Sequence, residues 1–280
     1  MGNRNGTVRQ RILGRRLRRL RENAGHTLEA AAAALEISAS RLARIETAQQ
    51  GVDVHVVKSM LDLYDIGGDR WTQTLQLVRE ARQKAWWRRY GLGDTSYVVF
   101  EADAALVQEY ATGFVPGLLQ LPDYARALFD ASAVVRTHEQ REAEVELRLI
   151  RQRRLTDPDN LLELNAIVDE AVLRNPVGGV EVLRAQLAHL IEAAQLPSVT
   201  FQVLPARPGA HASLASGFYV LSFGDLGEPD MAYVEHALGA THLEGEQDVG
   251  LARIQFDQLR TLALRPVDSL ALLRDIAAAT

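Results

Sequence analysis

Residues 26–48, HTLEAAAAALEISASRLARIETA, read as two short helices around a tight turn. Thr27 stands where an N-terminal cap accepts a backbone hydrogen bond, and Leu28, Ala31, Ala32 and Leu35 follow at the three- and four-residue spacings of one apolar helix face. Ser38 is placed to cap the second helix in the same way. From Ala39 onward Leu42 and Ile45 point inward, while Ser40, Arg41, Arg44 and Thr47 look outward and give that helix a polar, cationic surface.

Such a surface suits the major groove, where the first turn of a recognition helix meets the donors and acceptors of base edges. Ala39, Ser40, Arg41 and Arg44 are the expected contacts. Arg44 is the best match to guanine, because a guanidinium bonds two acceptors at once; Ser40 is less selective, Ala39 offers a methyl, and Arg41 is as well suited to phosphate. An ordinary helical hairpin with a solvated arginine face fits the same short pattern, so the flanking sequence has to decide.

Upstream, residues 9–25 carry Leu13, Leu17 and Leu20 as an apolar stripe among arginines, with Gly25 placed to end the helix. Downstream, residues 53–65 hold Val56, Val57, Met60, Leu61 and Tyr64 at helical spacing; Gly67-Gly68 and a further helix follow. These pieces add up to a compact five-helix domain.

On LGRRLRRLRENAG, HTLEAAAAALEIS, Arg44-Ile45-Glu46 and MLDLY, residues 10–66 resemble the helix-turn-helix domain of the xenobiotic-response-element (XRE) superfamily, which includes phage repressors. The resemblance implies a lambda-repressor-like fold whose third helix reads bases through the positions matching Ala39, Ser40 and Arg44, with a structural role for Glu46. The DNA-facing set is then Thr27, Ser38, Ala39, Ser40, Arg41, Arg44 and Thr47. Three positions depart from the family pattern. Leu28 stands where relatives have a phosphate-touching glutamine. Glu36 stands at a turn position that usually holds glycine, and is strained there if left-handed. Ala48, Gln49 and Gln50 replace a glycine and basic pair, and fewer cationic phosphate contacts flatten the salt dependence of binding.

The chain of 280 residues is long enough for two domains, and its charge divides accordingly. Residues 1–90 hold 17 Lys/Arg and 9 Asp/Glu, a balance of +8; residues 91–280 hold 14 and 27, a balance of −13, and the two sum to the overall −5. A basic first part supplies the field a polyanion needs, while an acidic remainder is repelled by it. Cysteine is absent, which excludes disulfides, thiolate zinc sites and a cysteine nucleophile. No uncharged apolar run is long enough to span a bilayer, so a soluble, cytoplasmic protein with no membrane partner is expected.

Residues 69–90 read as a helix packed through Trp71, Leu75 and Val78, and 69–97 as a linker helix and hinge between a helix-turn-helix domain (1–68) and a C-terminal domain (98–280). From Val98 the chain reads as helical through FEADAALVQEYAT, GFVPGLLQLPDYARALFDAS and residues 138–155. Strands are expected in LLELNAIVDEAVL, VTFQVLP, GFYVLSFG, MAYVEHAL and ATHLEG, with a helix over VGGVEVLRAQLAHLIEAAQ and two more after residue 249, split at Pro266. The expected C-terminal fold is α+β, a small sheet flanked by helices.

VPGLLQ with PDYA, DEAVLRNPVGG, RAQLAHL, VTFQVLP with GAH, YVEH and LALRPVDSLALLRDI make this half resemble the uncharacterised domain that follows XRE modules in actinobacterial antitoxin-like regulators. The resemblance implies a transcriptional regulator, often encoded beside a small acidic partner protein, and no catalytic residues. The residues agree. There is no glycine-rich phosphate loop and no Gly-x-Ser-x-Gly, and His138-Glu139 lacks the second histidine of a zinc-binding helix. No enzyme activity, metal or cofactor is expected. Glu170, His211, Glu235 and His236 fall at or beside strand ends, either converging as a pocket for a cationic ligand or metal, or simply closing the ends of strands. Two functions stay open: a homodimeric regulator reading double-stranded DNA, with the C-terminal domain serving dimerisation, ligand or partner control, and an interaction module for a small acidic partner, with DNA binding subsidiary.

Overall fold

Thr7 starts the first helix with a reciprocal cap: its hydroxyl accepts from the Gln10 backbone N–H at 3.3 Å, and the Gln10 side chain accepts from the Thr7 N–H at 3.1 Å. In the computed structural model, which describes residues 7–82, 86–93, 96–206, 209–211, 213, 216–226, 228–236 and 238–280, this helix α1 runs Val8–Asn23. Gly25, at φ 76°, then turns the chain as expected. Helices α2 (Leu28–Ala34), α3 (Ala39–Glu46), α4 (Val54–Leu63) and α5 (Gly68–Arg82) follow, and a short α6 covers Tyr97–Glu101.

Helices α1 to α4 close on Leu13, Leu17, Ala31, Ala32, Leu42, Ile45, Val57, Met60, Leu61 and the adjoining Tyr64. Leu75, Leu77 and Val78 of α5 belong to the same core, and α5 packs on α1 and α4. Gly68–Arg82, which opens the segment expected as a linker helix, is therefore the fifth helix of the N-terminal unit, while residues 83–85 and 94–95 of that segment lie outside the described residues. That unit comprises Met1–Asp103 with Asp225–Glu228, and the second comprises Ala104–Gly224 with Pro229–Thr280. A helix that buries two leucines and a valine gains several kcal/mol by joining a core, about 1.5–3 kcal/mol per side chain, more than a free linker helix recovers from its own hydrogen bonds.

The second unit is built on a six-stranded sheet among the described residues, in the order β3-β2-β1-β4-β5-β6. The strands are β1 (Leu106–Ala111), β2 (Glu163–Asp169), β3 (Val199–Leu204), β4 (Phe218–Ser222), β5 (Met231–His236) and β6 (Gly239–Leu243). β1, β2 and β3 are parallel; β4, β5 and β6 extend the sheet antiparallel. Parallel neighbours need long crossovers, supplied by α7 (Pro122–Ala131) with α8 (His138–Gln152) between β1 and β2, and by α9 (Val180–Ala193) between β2 and β3. The chain ends in α10 (Glu246–Leu262) and α11 (Pro266–Ala279), with Pro266 at the first turn, where its missing N–H costs nothing. α10 covers one sheet face, packing Val249, Ala252, Phe256 and Leu259 on Tyr110, Phe218, Val220 and Ala232.

The α+β expectation holds, with two corrections: the strand expected over LLELNAIVDEAVL ends at Asp169, after which Glu170–Leu173 form a short 3-10 helix, and one expected helix is a strand. Residues 100–112 were expected to be helical, yet LVQEYA is β1, paired on both sides in the middle of the sheet. Alanine, leucine, glutamate and glutamine favour a helix, but six central residues with partners on either flank obey the sheet instead, since propensity is a weak prior beside tertiary pairing.

Candidate nucleic-acid interface

Helix α3 is fixed at its two ends. At the front, Ser38 accepts a hydrogen bond from the Arg41 N–H at 3.1 Å, and Thr27 caps α2 through the Ala30 N–H at the same distance. The turn between them passes through Glu36 at φ 54°, the left-handed region in which a glutamate carries a cost. At the back, Glu46 is buried and receives two hydrogen bonds from Arg21 of α1, Nε to Oε1 at 2.7 Å and Nη2 to Oε2 at 2.9 Å. Arg21 also donates to the His26 carbonyl at 2.9 Å, so one guanidinium ties α1, the entry to α2 and the end of α3 together. These bonds with Glu46 hold the guanidinium above its ordinary pKa. The structural role expected for Glu46 is this fork, a geometry that lysine cannot supply.

Between these anchors the outer surface of α3 is open to solvent. Ser40, Arg44 and Thr47 are exposed, whereas Ala39 and Arg41 are half-buried. Arg44 donates from Nη1 to the Ser40 hydroxyl at 3.2 Å and from Nε to the Gln50 side-chain oxygen at 3.3 Å. Gln50 thus orients the guanidinium, a role the sequence reading missed. Arg41 is less free: its Nε is shielded and finds no hydrogen-bond partner among the described residues. Thr47 bonds its hydroxyl back to the Ala43 carbonyl at 2.8 Å.

The four C-terminal candidates share one end of the sheet but form no single site. Glu170, just past β2, receives two hydrogen bonds from Arg174 at 2.7 and 3.0 Å. β2 and β5 are separated by β1 and β4, three strand spacings or about 14 Å, which keeps Glu170 from Glu235. His211 stacks edge-on against Tyr110 with centroids 5.9 Å apart and lines a hollow of about 400 Å³ beside Gln258, Leu259 and Leu262. Glu235 and His236 line a different cavity, of about 880 Å³. Among the described residues no three His, Asp or Glu side chains are grouped to hold a metal ion. No helix among those residues is long and apolar enough to cross a membrane.

Residues 12–71 match the family described as a helix-turn-helix domain, and residues 95–275 match the family described as a domain of unknown function, DUF5753. No curated protein and no solved structure matches the chain.

Proposed function

The chain belongs to the DUF5753 family, and from the helix-turn-helix domain that precedes that family's domain we propose that the protein is a sequence-specific, XRE-type transcriptional regulator acting in the cytoplasm. Helix α3 enters the major groove, Arg44 pairs with a guanine, and Ser40 and Ala39 meet the adjoining bases. The observation that carries this reading is an exposed Arg44 pre-oriented by Ser40 and Gln50, on a helix fixed at its far end by the buried Arg21–Glu46 fork. The protein pairs with a second copy, because modules of this kind read half-sites about one helical turn, ~34 Å, apart. The C-terminal unit takes up the controlling signal, a ligand or a partner protein, and no catalytic role is assigned to it.

A second reading, an antitoxin-like module for a small acidic partner, draws support from a hollow of about 780 Å³ in the N-terminal unit, lined by Arg15, Arg16, Arg18, Arg19 and Arg70. Fluorescence anisotropy on the gene's upstream DNA and on a shuffled duplex, at fixed salt, separates the two. The regulator predicts selective binding that Arg44→Ala weakens by about 1–3 kcal/mol on the upstream DNA alone. Equal affinity for both duplexes, unchanged by Arg44→Ala, contradicts it.

A further inference from the structure

Helix α1 carries more positive charge than base reading by α3 accounts for. A side chain turns by about 100° per residue along a helix. Arg16, two residues after Gly14, and Arg19, two before Arg21, therefore lie across α1 from the positions that touch α3. Those positions are marked by the close approach of Gly14 to the Glu46 carbonyl and by the bond from Arg21 to the Glu46 carboxylate. Arg16 and Arg19 line instead the hollow of about 780 Å³ in the N-terminal unit, with Arg15, Arg18 and, from the first turn of α5, Arg70. Among the described residues that line it, Glu22 is the one carboxylate.

Two of the five arginines are matched by carboxylates. Arg18 donates to Glu22 at 2.8 Å, and Arg15 pairs with the buried Glu228, whose other oxygen lies 3.2 Å from Arg11. The guanidiniums of Arg16, Arg19 and Arg70 have no hydrogen-bond or ion-pair partner among the described residues. Arg16 and Arg19 stand three residues apart, which sets their Cβ atoms about 5–6 Å from each other and lets both side chains reach one anionic group. Arg70 meets the same hollow from α5, which packs on α1. The half-buried Ile12, Leu20 and Leu226, all of this unit, add an apolar part to the lining. A hollow of about 780 Å³ lies in the range of small-ligand sites.

We propose that this hollow binds a small molecule bearing a chain of two or more phosphates. The planar forks of Arg16, Arg19 and Arg70 donate to phosphate oxygens, a geometry to which guanidinium is suited. A phosphate gathers more than one negative charge and three acceptor oxygens on a single centre. Two phosphates therefore answer three guanidiniums, whereas an acidic peptide brings one charge per side chain and pays to order each of them. A cation is repelled, and a neutral molecule leaves the three charges as they are. The inference goes beyond base reading by α3, and because the hollow lies across α1 from α3 the two stand or fall separately.

The test is calorimetric titration of the full chain, at fixed ionic strength and without divalent metal, with inorganic triphosphate, ATP, sulfate and a hexa-aspartate peptide. Saturable binding of triphosphate and ATP below about 1 mM is expected, weakened by about tenfold or more in Arg16→Gln and in Arg70→Gln. Arg79→Gln, an exposed position of α5 outside the lining, leaves it unchanged, as does Arg44→Ala. The replaced guanidiniums bond to no described residue, so the fold stays intact, which circular dichroism checks. Tighter binding of ATP than of triphosphate places its base on the apolar lining, and equal binding assigns the site to the phosphate chain alone; both support it. The proposal is overturned by no binding of either up to about 10 mM, by equal binding of sulfate, by affinities unchanged in Arg16→Gln and Arg70→Gln, or by loss of binding in Arg44→Ala. Preference for the aspartate peptide also overturns it and returns the hollow to an acidic partner protein.

Discussion

Gly14→Ala separates packing from helix propensity, because the two predict opposite signs. Gly14 lies inside α1, where alanine is preferred to glycine by about 1 kcal/mol. A Cβ there would stand 2.7 Å from the Glu46 carbonyl oxygen and 2.9 Å from that of Ile45. Ordinary contact begins near 3.4 Å, so α1 has to withdraw from the end of α3 by about 0.7 Å (3.4 − 2.7). The obstacle is backbone and cannot rotate aside. Overpacking of this kind costs about 1–3 kcal/mol, which leaves a net loss of about 1 kcal/mol after the propensity gain. Gly250 in α10 is the control, since a Cβ there meets nothing within 4 Å and Gly250→Ala gains up to about 1 kcal/mol. All three tryptophans, Trp71, Trp86 and Trp87, fall in the N-terminal unit. Their emission in urea reads Gly14→Ala, and far-ultraviolet circular dichroism reads Gly250→Ala. A stabilised Gly14→Ala protein would refute the claim that α1 touches α3 backbone to backbone at this point.

Further expectations concern the anchor, the turn and the response to alkali. Glu46→Ala strands the buried Arg21 charge and lowers the stability of the N-terminal unit by about 3–5 kcal/mol in urea melts, whereas an exposed ion pair would cost under about 1 kcal/mol. Glu36→Gly relieves the left-handed turn at φ 54° and raises stability by about 0.5 kcal/mol after the entropy of glycine is counted; a loss there would mean the glutamate side chain earns its place. Burial pushes the hydroxyls of Tyr64 and Tyr110 up to about 12. Between their ordinary value of 10 and that value the folded chain holds more protons than the unfolded one. Their contribution is therefore complete below pH 10 and disappears as the pH rises through 12, seen as a falling urea midpoint and late tyrosinate absorbance.

The local features were legible in the sequence because their causes are local. Thr27 and Ser38 cap helices from one residue before the first turn, Gly25 takes a positive φ two residues past a helix end, and Pro266 opens α11. The stripes of Leu13, Leu17, Leu42 and Ile45 announce their own burial. What the sequence hides depends on partners far along the chain. Arg21 and Glu46 stand 25 residues apart, and one arginine among many on α1 carries no mark of having been chosen. β1 was misread because its residues favour a helix. Tyr219 and Tyr233 become neighbours only once β4 and β5 pair in register, and Glu235 lies in a cavity with those tyrosines instead of beside Glu170 and His211.

The most direct test of base reading by α3 is methylation interference on the upstream DNA. A methyl group at guanine N7 blocks the major-groove acceptor that a guanidinium needs, and leaves the backbone untouched. The wild-type protein is expected to reject DNA methylated at guanines in two half-sites about one turn apart, ~34 Å, and Arg44→Ala to become indifferent at one guanine in each. A protein that binds methylated and unmethylated DNA alike, or an Arg44→Ala pattern identical to wild type, would contradict the account.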